Sequence, residues 1–401
     1  MLRLYFPYKY VAVTIFCFIV SYGQATTLPK QPPRPTEGPL TIPTAPTINA
    51  KSYILIDVDS GKVIAEKNSE QKLPPASLTK LMTLYVISNS LSSGQLRLED
   101  NVPVSVKAWK TGGSRMFIKE GQQVSVENLL KGIIVDSGND ACVAMAEYIG
   151  GSEEGFTAIM NQQAQSIGMK NSHFTDSTGL PNAELYTTSM DLAILSRALI
   201  QSFPQYYHWY KQKWFTYNGI RQPNRNRLLW RDSHVDGMKT GHTNDAGYCL
   251  VSSAKKDNMR LIAVVLGSPS EAARADDSER LLNYGFRFFT THQLFKAKET
   301  ITSLPLYKGQ LNQVNVGLKS DQYITIPTGT YDKLKVSTNI PSSLVAPIKQ
   351  GQQIGELIIE LEGKPVVQKP LYALHDVQKG GFFVRFKDGF KLTWNNWFGK
   401  A

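Results

Sequence analysis

Apolar and polar positions along this chain change period several times, and the switch points divide it. Thr26–Thr47 has no period; it is rich in Pro and Thr and reads as an extended tether with nothing to pack. Tyr53–Asp57 and Val63–Lys67 are short apolar-rich runs around Asp59-Ser60-Gly61, which predicts a hairpin. From about Ser77 the spacing becomes helical, with Leu78, Leu81, Met82, Tyr85 and Val86 on one face. Between Trp109 and Trp230 the pattern stays mainly helical. Leu129–Val135, Ala141–Ile149, Phe156–Ile167 and Met190–Leu199 are separated there by turns rich in Gly and Asn/Asp. Strand character returns at Gly237–Thr243, Gly247–Ala254 and Met259–Gly267, and a helix from about Ala272 to Phe289 follows. Strands at both ends bracketing a helical middle predict a sheet built from the two ends of residues 48–290, with helices against it. After Leu304 come four short alternating runs, Gln313–Leu318, Tyr323–Ile326, Leu334–Thr338 and Ile354–Leu361, between Gly/Pro/Asp turns. They predict a small, separate all-β domain over residues 291–377.

Composition narrows this picture. The chain has 401 residues, beyond the ~250–300 at which one core stops growing, so two domains are expected. Its 42% hydrophobic content excludes a mostly disordered chain. No apolar run reaches the ~18 residues of a spanning helix, which excludes a multi-pass membrane protein. Lys+Arg 44 against Asp+Glu 33 leave a net charge of +11, a mild excess compatible with nucleic acid, an anionic membrane or an acidic polymer as partner. Residues 1–25 read as a secretory signal: Arg3 and Lys9 at the front, the apolar stretch Val11–Val20, and small residues around Gly23-Gln24-Ala25. Its removal would take Cys17 away and leave Cys142 on the apolar face of a predicted helix and Cys249 in a strand, two buried thiols rather than a disulfide framework. The six His are scattered without ligand spacing, so no metal site is expected.

Three short motifs carry the candidate chemistry. Ser77-Leu78-Thr79-Lys80 follows Pro74-Pro75, which places Ser77 in a helix's first turn, where free N–H groups and the dipole favour a developing anion. Residues i and i+3 share a face, so Lys80 can reach the Ser77 hydroxyl, a Ser–Lys nucleophile pair if the lysine's pKa is lowered. Ser137-Gly138-Asn139 stands at a second helix start, and Lys239-Thr240-Gly241 on a strand, where Gly241 would let a substrate backbone approach. Each triplet alone is common, and capping or solvated residues produce it. Together, in this order and on these elements, they form the signature shared by penicillin-binding proteins and class A β-lactamases.

The sequence resembles the D-alanyl-D-alanine carboxypeptidases among the low-molecular-mass penicillin-binding proteins. The likeness extends through Gly112-Gly-Ser-Arg-Met-Phe117, Ser137-Gly-Asn-Asp-Ala-Cys142, Lys239-Thr-Gly-His-Thr243 and Tyr284-Gly-Phe-Arg-Phe-Phe289. It implies an α+β fold: a serine β-lactamase/transpeptidase-like domain with an antiparallel sheet and helices on both sides, then a small all-β domain and a C-terminal amphipathic helix. It implies Ser77 as the acylated nucleophile, Lys80 as its base and Ser137 as proton relay. Asn139 would hold the substrate amide, Lys239 would add positive potential, and Thr240 and Arg274 would take the terminal carboxylate. The N–H groups of Ser77 and His242 would form the oxyanion hole. The substrate would be the peptidoglycan stem pentapeptide, with β-lactams as covalent inhibitors, no cofactor and no nucleic acid. Residues 140–236 lack the Glu-x-Glu-Leu-Asn string of a class A β-lactamase, which disfavours fast β-lactam hydrolysis. A DD-endopeptidase or transpeptidase would share the acyl-enzyme, and a non-catalytic wall-binding module would not need every motif hydroxyl and lysine to be present.

The last segment, residues 378–401, carries Lys379, Arg385, Lys387, Lys391 and Lys400 against Asp388 alone. At 100° per residue Phe382, Phe386, Phe390, Trp394 and Trp397 share one side, flanked by Arg385, Lys387 and Lys391. That mixture suits an anchor lying in an anionic bilayer interface. The expected location is therefore exported and peripheral, on the periplasmic face of the bacterial inner membrane.

Overall fold

The structure, a computed structural model, describes residues 20–22 and 42–398. The signal-like segment, apart from Val20–Tyr22, and the tether up to residue 41 lie outside the described residues.

By its contacts the chain divides into two units, Glu37–His292 with Ile324–Gly329, and Gln293–Tyr323 with Thr330–Ala401 and Met1–Thr36. The first unit is organised by a five-stranded sheet. Its strands are β1 (Ser52–Asp57), β2 (Val63–Lys67), β3 (Val235–Thr243), β4 (Gly247–Lys256) and β5 (Met259–Ser268), in the order β2-β1-β5-β4-β3. Every pairing is antiparallel, with Val264 opposite Ile54 on one side of β5 and Val251 on the other. Helices cover both faces: α1 (Lys80–Ser92), α2 (Asn139–Gly150), α3 (Glu153–Ser166), α4 (Ser189–Ser202) and α5 (Glu271–Phe288).

The two-residue period of a strand sorts the core. Ile262, Val264 and Leu266 join Ile54 and Ile56 in a large core with Leu81 and Met82 of α1 and Leu192 and Leu195 of α4. Their neighbours Leu261, Ala263 and Val265 turn the other way and pack with Leu55 and with Leu281 and Leu282 of α5. Both faces are buried, and so Leu261–Leu266 reads as an unbroken apolar run. α1 is buried on nearly every side, Leu84 and Ile87 included, so its apolar residues extend beyond the one face that the spacing predicts.

Three local features differ from expectation. Trp214–Tyr217 and Ile220–Pro223 form an antiparallel ribbon inside the stretch read as helical. Its turn is Asn218-Gly219, with φ of 46° and 77°, a two-residue hairpin turn needing positive φ at both positions. The end of the predicted tether is packed: Ala45 lies against the α5-side core, and Tyr284 Oη donates to the Pro43 carbonyl at 3.0 Å. Ile324–Gly329 groups with the first unit, where Thr291 donates to Asp57 at 2.8 Å and the Thr325 hydroxyl meets Ser60 at 2.6 Å.

The second unit holds a seven-stranded sheet, in the order Val20–Tyr22, Leu334–Pro341, Gln353–Leu361, Lys364–Ala373, Gln313–Gly317, Thr302–Tyr307, Leu344–Val345. Lys364–Ala373 is a strand that the pattern hides, because Pro365 and Pro370 interrupt it. The ladder shifts register at Ile359/Glu360, where Pro365 pairs. Helix α6 (Phe382–Phe398) ends the described chain.

Candidate active site

Ser77 lies in a 3₁₀ turn, Ala76–Thr79, that runs directly into α1. Lys80 opens α1 one turn later and is 0% exposed. Its Nζ donates to Ser77 Oγ at 2.8 Å and to the Thr178 carbonyl at 2.6 Å. Burial pushes the Lys80 pKa below its ordinary value, against the opposing pull of Asp176 and Asp140. A lowered pKa favours the neutral amine, the form able to accept a proton.

A second lysine and serine are paired nearby. Lys239, on β3, donates from Nζ to Ser137 Oγ at 2.9 Å and to the Thr240 carbonyl at 3.2 Å. Burial first, then the charges of Lys80 and Arg225, hold Lys239 well below the usual lysine range. Ser137 has φ of 59° and ends the π-turn Gly132–Asp136, so its hydroxyl leaves the chain just before α2 begins. Asp140, in the first turn of α2, accepts from the N–H groups of Met116 (3.0 Å), Phe117 (2.9 Å) and Ile118 (3.2 Å). Those bonds pin the segment that brings Ser114 to the cavity.

The cavity has a volume of about 500 Å³, and Ser77, Ser114, Ser137, Thr240, Gly241, His242 and Arg274 all line it. Arg274, on α5, is 6% exposed. It donates to the Gly241 carbonyl at 3.2 Å, pairs with Glu271 at 3.3 Å, and lies 5.6 Å over the Tyr248 ring. The same ring packs against His242 with centroids 4.1 Å apart and planes tilted by 31°. Gly241 also has a packing role. A Cβ there would come 2.9 Å from the Pro75 carbonyl, so the glycine lets β3 close on the turn that carries Ser77. Asn139 is not among the lining residues: its Nδ2 donates to the Gly112 carbonyl at 2.7 Å, while its Oδ1 is buried without a partner.

Sequence reasoning missed the loop on the far side of Lys80. One oxygen of Asp176 accepts from Thr178 N (2.6 Å), Thr178 Oγ1 (2.6 Å) and Gly179 N (2.7 Å), which aims the Thr178 carbonyl at Lys80. The Asp-Ser-Thr-Gly string is a legible turn signal, but a carbonyl ligand has no side-chain signature.

A serine at a helix start, paired with a buried lysine beside a helix-covered antiparallel sheet, defines a lysine-assisted serine peptidase. Residues 40–270 match the family model of D-alanyl-D-alanine carboxypeptidase, and residues 289–379 match that of the penicillin-binding protein 5 C-terminal domain. The chain is 45% identical over 363 residues to D-alanyl-D-alanine carboxypeptidase DacC of Escherichia coli (strain K12), covering 88% of this chain and 91% of that protein. Penicillin binding protein 5 from Haemophilus influenzae superposes with a TM-score of 0.81 at 41% identity, covering 84% of this chain and 99% of that one. The Streptomyces K15 DD-transpeptidase matches 61% of this chain and 99% of its own, with a TM-score of 0.57 and 29% identity. This chain belongs to the D-alanyl-D-alanine carboxypeptidase family.

Proposed function

We propose that the chain is a serine-type D-Ala-D-Ala carboxypeptidase that removes the terminal D-alanine from peptidoglycan stem pentapeptides and is acylated by β-lactams. The observation that carries this reading is the Lys80 Nζ–Ser77 Oγ hydrogen bond of 2.8 Å at the edge of a cavity that Arg274 also lines. Lys80 takes the Ser77 proton as Oγ attacks the carbonyl carbon of the penultimate residue. The N–H groups of Ser77 and His242 hold the resulting oxyanion. Ser137, bonded to Lys239, passes a proton to the leaving D-alanine amine, and water then releases the acyl group from Ser77. Thr240 and Arg274 receive the free carboxylate that marks a chain end. Asn139, whose Oδ1 is buried without a partner and whose Nδ2 is held by the Gly112 carbonyl, is assigned the substrate amide, which requires the segment at Gly112 to shift on binding. A β-lactam follows the same first step, its ring amide opening onto Ser77. The experiment is an assay on soluble pentapeptide: stoichiometric D-alanine release is expected. Cleavage of cross-linked dimers without any release from pentapeptide would contradict the reading.

The carboxylate assignment gives a graded prediction. Arg274→Ala should lower kcat/KM by ~10-fold or more for a peptide with a free terminus, a charge-assisted bond being worth ~1.5–3 kcal/mol. A peptide esterified at that terminus should lose far less, and equal losses on both would make Arg274 purely structural.

The chain is exported and works on the periplasmic face of the inner membrane, held there by residues 378–401. No helix among the described residues is long and apolar enough to cross a membrane. In α6, Phe382 (69%), Phe383 (86%), Phe386 (68%) and Phe390 (69%) are all largely exposed, as a face that enters a bilayer interface requires. Neighbouring cations add ~1 kcal/mol each near an anionic surface. The cut that tests this falls after Gly381, because Val377 is 2% exposed and bonded to Ile348. A chain ending at Gly381 should stay folded and active on soluble peptide yet fail to sediment with anionic vesicles. Sedimentation equal to that of the full chain would refute the anchor.

A further inference from the structure

A further cavity, of about 480 Å³, belongs to the second unit. Its lining is Lys308, Ala346, Lys379, Phe382, Arg385 and Phe386, three cations and three apolar residues with no carboxylate among them. The backbone fixes how they meet. Lys308 follows the strand Thr302–Tyr307 and takes the left-handed conformation, with φ of 59°. Its N–H donates to Asp388 Oδ2 of α6 at 2.6 Å, and its carbonyl accepts from the Gly380 N–H at 2.8 Å. Lys379 and Arg385 are thereby held beside it, on the segment entering α6 and in its second turn. Among the described residues no carboxylate forms an ion pair with any of the three cations, Asp388 included. Phe382 and Phe386 leave most of their surface in water. Convergent, uncompensated cations beside exposed rings fit a ligand that is anionic at one end and apolar at the other.

We propose that this cavity binds the phosphate of an anionic phospholipid, with Phe382 and Phe386 against the start of its acyl chains. The inference rests on the membrane-anchor reading of residues 378–401. It adds Lys308, a residue outside that segment, and so gives the β-rich unit a part in attachment. Arg385 offers a planar fork of donors to two phosphate oxygens, and Lys308 and Lys379 add compact charges. A free phosphate would satisfy the cations but leave both phenyl rings in water, whereas a lipid covers the rings as well. An α6 lying in the interface would hold the cavity at headgroup depth, where that ligand is concentrated.

The full chain is titrated by calorimetry with dihexanoyl phosphatidylglycerol kept monomeric, so that no charged surface attracts the protein diffusely. Saturable binding of a single lipid per chain is expected. Lys308→Ala should weaken it by ~10-fold or more, the loss of one charge-assisted contact, and Lys308→Arg should keep most of it. Lys387→Ala removes a cation of α6 that does not line the cavity and should stay within ~2-fold of wild type. Inorganic phosphate should bind ~10-fold more weakly than the lipid, because it covers neither ring. Melting temperature is the folding control, and if Lys308→Ala melts early, the exposed Arg385→Ala supplies the same comparison. Absence of saturation, or equal losses in the Lys308 and Lys387 variants, would overturn the proposal. Inorganic phosphate binding as tightly as the lipid would overturn its assignment to a phospholipid. Sedimentation with anionic vesicles separates this from the anchor itself: a full chain that sediments but does not saturate with lipid keeps the anchor and loses the site, and one that saturates without sedimenting does the reverse.

Discussion

Lys80→Ala is expected to slow both D-alanine release and penicillin acylation by ~10²–10⁴-fold, the span usual for a general base. The protein should remain folded. The substitution takes a fully buried amine out of the core, and so removes a desolvation cost along with two hydrogen bonds. The second pair, Lys239 and Ser137, would persist, which makes the variant informative. If that pair could act as nucleophile and base, acylation would continue near the wild-type rate. A stopped-flow acylation measurement with circular dichroism as a folding control separates the two outcomes.

Gly179→Ala should be nearly as damaging, and for a steric reason. Gly179 has φ of 83°, and a Cβ there would stand 1.9 Å from the Ala76 carbonyl oxygen and 2.7 Å from Thr79 Oγ1. The loop and the 3₁₀ turn carrying Ser77 would have to part, and the Thr178 carbonyl would leave Lys80. Loss of stability should reach the upper part of the ~0.5–3 kcal/mol range of single substitutions, with slower acylation in the molecules that still fold. A denaturant midpoint and a labelling rate both equal to wild type would show that the loop has slack.

The contrast between these two residues explains what the sequence made legible. Ser77, Lys80, Ser137, Lys239 and Thr240 were legible because their side-chain types and order form a diagnostic pattern, and they converge on one cavity or bond to residues that line it. Gly179 and the Thr178 carbonyl act through backbone, which every residue has, and only the fold assigns them a partner. Asp140 and Asp176 look like ordinary turn and helix-start residues because that is what they are; their importance lies in which loops they hold. For the fold, β5 was readable because burial on both faces leaves the apolar run Leu261–Leu266, and α5 because its buried Ala275, Leu281 and Leu282 recur at helical spacing. The ribbon around Asn218-Gly219 carried a hairpin signal but sat among helices, and Lys364–Ala373 was masked by its prolines. Asn139 and Gly241 were legible as positions, yet their contacts were not: one turns onto Gly112, the other makes room for Pro75.

The central claim is that Ser77 is the residue acylated. Three serines, Ser77, Ser114 and Ser137, open onto the cavity, and a covalent label can tell them apart. The wild-type protein is reacted with a penicillin, digested, and the adduct located by tandem mass spectrometry. The account predicts one acyl group per chain, on the peptide containing Ser77 and on its hydroxyl. An adduct on Ser114 or Ser137, or no adduct at all, would contradict it.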